Sequence, residues 1–204
     1  RRVGPSSFLI PKPKTFLLPH GGSVQAPSFD RDEREILASR TAASAGSPLD
    51  PDDDPMVGNV GPAAYAARRD EVELTREGHD LIVPMRVASA FNVMAGPDPR
   101  GWKVVAADGH VAGKVKDLWV DRADVMVRYL EVELDGEAGG GNGETRLLPI
   151  TMLLLRGEQK KVEVAAVKAA HFANVPEIKE ADRVTTLEEE RICAFYAGGR
   201  LYAD

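Results

Sequence analysis

The sequence is short of cysteine, of long apolar runs and of any familiar catalytic signature, and each shortage excludes something. A single cysteine, Cys193, cannot close an internal disulfide, and no Cys/His spacing matches a zinc site, so packing must hold the framework. The best apolar runs, Phe16–Leu18 and Met152–Leu155, fall far below the roughly 18 to 20 residues of a bilayer-spanning helix. The start, Arg1-Arg2-Val3-Gly4-Pro5, does not lead into the apolar core of a secretory signal, which makes the cytosol or a cytosol-facing surface the expected compartment. With 26 Lys+Arg against 32 Asp+Glu, net charge −6, the chain lacks the concentrated basic face of a nucleic-acid binder. The four histidines, His20, His79, His110 and His171, are scattered along the chain, and there is no Gly-x-Ser-x-Gly elbow. The glycine run Gly139-Gly140-Gly141-Asn142-Gly143 has no Gly-Lys-Ser/Thr after it and reads as a hairpin loop, not a phosphate cradle. An enzyme acting alone is the weaker reading.

What is present divides the chain in three. Nine of the fourteen prolines lie in the first 62 residues, where periodicity is poor but two apolar clusters, Phe8-Leu9-Ile10 and Phe16-Leu17-Leu18, flank Pro-Lys-Pro-Lys. This is the pattern of an extended strap, lacking helix and strand, whose apolar anchors lie on another surface. The run Asp50-Pro51-Asp52-Asp53-Asp54-Pro55 lacks the Gly and terminal Glu of an EF-hand and reads as a solvated loop.

From about residue 80 the chain becomes strand-like. Trp102–Ala106 and Val111–Val120 flank Asp108-Gly109, a two-residue hairpin signal. Val127–Leu134 alternates, with Leu130, Val132 and Leu134 on one face and Tyr129, Glu131 and Glu133 on the other, as in a half-buried strand. Thr145–Pro149 and Val162–Val167 add further strands, the second after a turn at Arg156-Gly157-Glu158. Four or five short, mostly antiparallel strands can close into a small barrel that removes exposed edges. A helix begins at Thr185 or Thr186, with Glu188 or Glu189 completing a capping box, and Gly198-Gly199 reads as its stop. A shorter helix is expected over Val167–Ala173. The expected layout is a strap over 1–60, a barrel over 61–180, and a C-terminal helix and tail over 181–204.

Two clusters of ionisable residues stand beside apolar, turn-rich stretches: Glu77-Gly78-His79-Asp80 before Ile82-Val83-Pro84-Met85, and Asp121-Arg122-Ala123-Asp124 after Leu118-Trp119-Val120. Carboxylates and imidazole have ordinary pKa values of roughly 4 and 6.5, so modest burial lets them exchange protons near neutrality. The plainer reading is charged turn residues in water, with Arg128 a structural partner of Asp121 or Asp124.

Several segments carry a family resemblance. Pro11-Lys12-Pro13-Lys14-Thr15-Phe16-Leu17-Leu18-Pro19-His20-Gly21-Gly22, Ile82-Val83-Pro84-Met85-Arg86-Val87-Ala88, Asp117-Leu118-Trp119-Val120-Asp121-Arg122 and Arg128-Tyr129-Leu130-Glu131 are among them. So are His171-Phe172-Ala173-Asn174-Val175-Pro176 and the stretch from Leu187 to Gly199. In order along the chain, they resemble the H subunit of the purple-bacterial photosynthetic reaction centre. The resemblance implies a mainly β fold: a small antiparallel barrel of the PRC type with an extended Pro-rich N-terminal strap and a C-terminal helix. Family members usually begin with one membrane-spanning helix and a basic stop. Arg1-Arg2 could be the remnant of that stop, or the helix could belong to a separate polypeptide.

The resemblance further implies a non-catalytic subunit on the cytoplasmic face of the photosynthetic inner membrane. Its partners would be the reaction-centre L and M subunits and the light-harvesting antenna, with no nucleic acid. Bacteriochlorophyll, bacteriopheophytin, quinone and iron would sit in the partner subunits, with no metal or cofactor held mainly by this chain. Its role would be to cover the secondary quinone in L and M and assist proton delivery to it. On matching positions, Asp121, Asp124 and Arg128 correspond to the family's acids and the base that follows them, with Asp124 the favoured relay. His79 corresponds to one histidine of a surface pair at the proton entrance; Glu77 stands where the other would be and Thr75 where a nearby acid would be. That departure weakens a metal site but leaves a Glu/His pair able to pass protons. The competing reading is a free-standing PRC-barrel adaptor without photochemistry.

Overall fold

The structure, a computed structural model, describes residues 11–28, 33–136 and 143–203. Phe8-Leu9-Ile10 and Gly139–Asn142 lie outside the described residues. The N-terminal region contains two small antiparallel hairpins where a strap without strands was expected. β1 (Lys14–Leu17) pairs with β2 (Ser23–Ala26), and β3 (Ala38–Arg40) with β4 (Leu49–Pro51). A two-stranded sheet consists only of edges, so prolines that would break a central strand are tolerated beside it. Both hairpins expose apolar side chains, Phe16, Leu17, Val24 and Leu49 among them.

The main sheet is built from β5 (Ile82–Pro84), β6 (Lys103–Val105), β7 (Val111–Asp121), β8 (Met126–Leu134), β9 (Thr145–Pro149), β10 (Leu153–Arg156) and β11 (Lys161–Val164). The strand order is β10-β11-β6-β7-β8-β9, and β5 shares the edge of β7 that β6 uses, one at each end. Every pairing is antiparallel except β11 with β6. The fold is mainly β, as expected, but the expected closure into a barrel is not made by hydrogen bonds: the ladder is left open between β9 and β10 among the described residues. β10 was not expected; it forms because Gly157–Gln159 make a 3₁₀ turn that folds Leu153–Arg156 back on β11.

The turn between β6 and β7 is longer than two residues. The Ala106 N–H donates to His110 O at 2.9 Å, and the Asp108 carboxylate accepts from the His110 N–H at 3.2 Å, while Gly109 supplies a φ of +80°.

β8 departs from its alternating pattern. Leu130, Val132 and Leu134 are buried as expected, but Tyr129 and Glu131 on the opposite face are buried too. That face is covered: the C-terminal helix lies over Tyr129, and Arg86 reaches Glu131. Over Tyr129–Val132 the strand is therefore enclosed on both sides, with one side lined by polar atoms that find partners, while Glu133 stays exposed as alternation predicts.

The helix α1 (Thr186–Tyr202) opens with the expected capping box, the Thr185 hydroxyl accepting from the Glu188 N–H and the Glu188 carboxylate accepting from the Thr185 N–H. Gly198 and Gly199 do not end it; the helix runs three residues past them. Their purpose is close approach. A Cβ on Gly198 would lie 2.8 Å from Ala63 Cβ, and one on Gly199 would lie 2.4 Å from Val167 Cγ1. The missing side chains let α1 press onto residues 56–63 and 166–167. Edge-to-face contacts of Tyr196 with Phe172 and Phe195, each at 6.1 Å between ring centres, fill the same layer. The short helix expected at Val167–Ala173 is a 3₁₀ segment, Ala169–Asn174, pinned by fully buried Phe172.

Candidate functional site

Two turns separated in sequence meet at one end of the sheet. β5 runs antiparallel to the C-terminal end of β7, with Ile82 opposite Asp121. This register brings the turn before β5 beside the turn after β7. The Arg122 N–H donates to Leu81 O at 2.9 Å, and its guanidinium to Asp80 O at 3.2 Å. The first turn is tight: the Thr75 N–H donates to His79 O at 2.7 Å, the Gly78 N–H to Thr75 O at 3.0 Å, and the His79 N–H to the buried Thr75 hydroxyl at 3.3 Å. Gly78 has a φ of +85°, which a larger residue adopts only under strain. Thr75, Arg76, Glu77, His79, Arg122 and Ala123 line a surface depression of about 390 Å³.

Asp121 organises the second turn. Its side chain is buried, Oδ1 accepts from the N–H groups of Ala123 (2.9 Å) and Asp124 (3.0 Å), and Oδ2 lies 3.4 Å from Arg128 Nε. Arg128 is therefore the partner of Asp121, one of the two options that the spacing allowed. The turn closes through Val125, a β-branched residue held at φ +53°. The result is an exposed Asp124 on a stiff turn whose internal donors are already used. Glu77 and His79 are exposed as well, and among the described residues their side chains make no ion pair.

The structure thus brings Glu77 and His79 into the neighbourhood of the Asp121–Asp124 turn. It adds residues that the sequence pattern did not single out. His20, at the tip of the β1–β2 turn, lies over Gly78, with Nδ1 3.9 Å from where a Cβ would stand. Deeper in, Arg86 donates from Nη1 to Glu131 Oε2 at 2.5 Å and lies 3.3 Å from Asp117 Oδ2, while its own N–H donates to Asp117 at 3.1 Å. Trp119 Nε1 donates to the same Glu131 oxygen at 3.0 Å, and Lys116 Nζ lies 3.4 Å from the other. Burial works against the charge of Arg86, but its pairs with Glu131 and Asp182 outweigh it and hold the guanidinium more firmly protonated than usual. A third layer is Tyr129, whose hydroxyl donates to Glu189 Oε2 at 2.7 Å. Burial raises Glu189 above the usual carboxyl range.

Among the described residues, no three His, Cys, Asp or Glu side chains gather closely enough to hold a metal ion. No helix of the described residues is long and apolar enough to cross a membrane.

Two family models match the sequence. Residues 1–87 match the photosynthetic reaction centre H-chain N-terminal region, and residues 91–171 match the PRC-barrel domain. The chain belongs to the photosynthetic reaction-centre H-chain family. H chains are structural subunits of a membrane-associated photosynthetic complex, and this chain has that general role in association with the other reaction-centre subunits. In this H chain the two matched regions meet at one end of the main sheet: His79 and Glu77 lie in the first, Asp121, Asp124 and Arg128 in the second, and the β5–β7 pairing joins them.

Proposed function

We propose that this chain caps the quinone-acceptor side of the L and M subunits from the cytoplasmic face and helps bring protons to the secondary quinone. In this reading the N-terminal strap, residues 1–60, packs on the partner subunits, and the barrel end carrying the two turns faces the acceptor side. The observation that carries the reading is the convergence of Glu77, His79 and the Asp121–Asp124 turn at one end of the sheet, around a water-accessible depression. Negative charge arriving in a poorly solvated site is costly unless protons or cations compensate it. Exposed Glu77 and His79 collect protons from water, and Asp124, held out by the Asp121 turn, passes them on or adjusts the local field. Proton transfer of this kind needs hydrogen-bond distance or one bridging water at each step.

The test is an Asp124→Asn variant in intact reaction centres, with flash-induced transfer of the second electron measured against pH. A slowing of about tenfold, equivalent to about 1.4 kcal/mol in the barrier, is expected. Wild-type kinetics throughout would remove Asp124 from the path.

A further inference from the structure

Glu189 has a setting that the capping of α1 does not explain. It follows the capping Glu188 and turns toward the sheet, where the Tyr129 hydroxyl donates to it at 2.7 Å; Cys193 Sγ, one helical turn on, lies 3.9 Å from the same hydroxyl. The charged and titratable groups around it are Arg128 from β8, Glu73 and Arg68 from the segment before β5, and Glu190 and Cys193 from α1 itself. Both nearby cations are engaged elsewhere: Arg68 pairs with Glu190 at 2.6 Å, and Arg128 lies 3.4 Å from Asp121. A half-buried carboxyl beside a second acid, with its cations shared, holds a proton more readily than an exposed one. Burial is the main cause of the upward shift at Glu189, Glu73 adds to it, and the Tyr129 bond and Arg128 oppose it. Tyr129 is itself pushed far above its usual range by burial and stays a donor.

Arg128 is the shared element. It lies 3.4 Å from Asp121, its charge also acts on Glu189, and Asp121 sets the backbone of Asp124. A change of charge at the turn therefore alters how strongly Arg128 favours the ionised form of Glu189, and the converse holds. We propose that Glu189 is a proton-holding residue, coupled through Arg128 to the Asp121–Asp124 turn. It binds one proton from water when negative charge builds up on the acceptor side, and releases it when that charge leaves. The proposal rests on the acceptor-side reading given above.

The experiment uses whole reaction centres carrying Glu189→Gln, Arg128→Gln or Asp124→Asn. Three readouts are followed: light-induced proton uptake against pH, flash-induced transfer of the second electron, and the protonated-carboxyl C=O region of the light-minus-dark infrared spectrum in H₂O and D₂O. Glu189→Gln is expected to abolish one D₂O-sensitive carboxyl band and to lower uptake near neutral pH. Arg128→Gln is expected to move the same band's pH dependence upward, because a cation that favours the carboxylate is gone. Should Glu189→Gln fail to assemble, Tyr129→Phe removes only the donated bond and must shift the band's frequency. An unchanged band and uptake curve in the Glu189 variant, with Asp124→Asn still slowing the second electron, overturns the Glu189 proposal and leaves the acceptor-side reading standing. If neither variant alters uptake or electron transfer, both fall.

Discussion

Replacing Arg86 by methionine keeps the aliphatic stem and removes the charge that joins three parts of the fold. Arg86 pairs with Glu131 and Asp117, both nearly inaccessible to solvent, and with Asp182 and the Ala181 carbonyl on the segment leading into α1. Removing one partner of a buried pair costs roughly 3–5 kcal/mol, since the remaining charge is left uncompensated. Two features reduce that figure here. The Arg86 side chain is 36% exposed, and Lys116 and Trp119 Nε1 continue to serve Glu131. A loss of about 2–3 kcal/mol is expected. Denaturant unfolding of the chain followed by tryptophan fluorescence gives the measurement, with Trp119 inside the network as reporter. The double variant with Glu131→Gln separates charge from packing: it should recover at least about 1 kcal/mol relative to additivity. A cost below about 0.5 kcal/mol, or no coupling in the double variant, would refute the assignment of Arg86 as the compensating charge.

Gly199→Ala would add about 1 kcal/mol in an exposed helix, yet here the new methyl meets Val167 Cγ1 and Ala166 O, so a net loss of about 1–3 kcal/mol in urea unfolding is expected. Val125→Asn relieves a β-branched residue at φ +53° and should raise stability by about 1 kcal/mol, seen as a Tm higher by about 2–4 °C. Glu189, raised by burial, binds its proton more tightly folded than unfolded; stability should therefore fall as pH rises from the ordinary glutamate range through its folded pKa. Glu189→Gln should flatten that part of a Tm-against-pH series, and an unchanged slope would contradict the buried setting.

Much of the sheet was readable because its strands carry period-two patterns between glycine turns. Thr145–Pro149 matches its expected strand residue for residue, and the Thr185–Glu188 box marks the helix start to within a residue. What was not readable depended on neighbours distant in sequence. Glu131 occupies a position that alternation assigns to solvent, and only the approach of Arg86 across the fold makes its burial tolerable. Gly198-Gly199 signals a helix end in isolation; the Ala63 and Val167 surfaces that demand small residues there lie far upstream. The turn residues Glu77, His79, Asp121 and Asp124 could be named as candidates, but their convergence follows from the β5–β7 register, and β5 is only three residues long. Glu189 was legible as part of a cap and not as a buried acid, because Tyr129 had been placed on an outward face.

The way α1 presses onto residues 56–63 also bears on biogenesis. Translation delivers Met56 and Ala63 early and their glycine-faced cover last, after all seven strands of the main sheet. Until the helix emerges, these apolar groups and the Val167 surface are open to solvent and to misdirected contacts. The parallel pairing of β11 with β6 waits in the same way for residue 161 to meet residue 103, a non-local step of the kind that slows folding. Truncations before Gly198 should therefore yield a nascent chain whose Met56, Ala63 and Val167 surfaces stay uncovered and which chaperones retain.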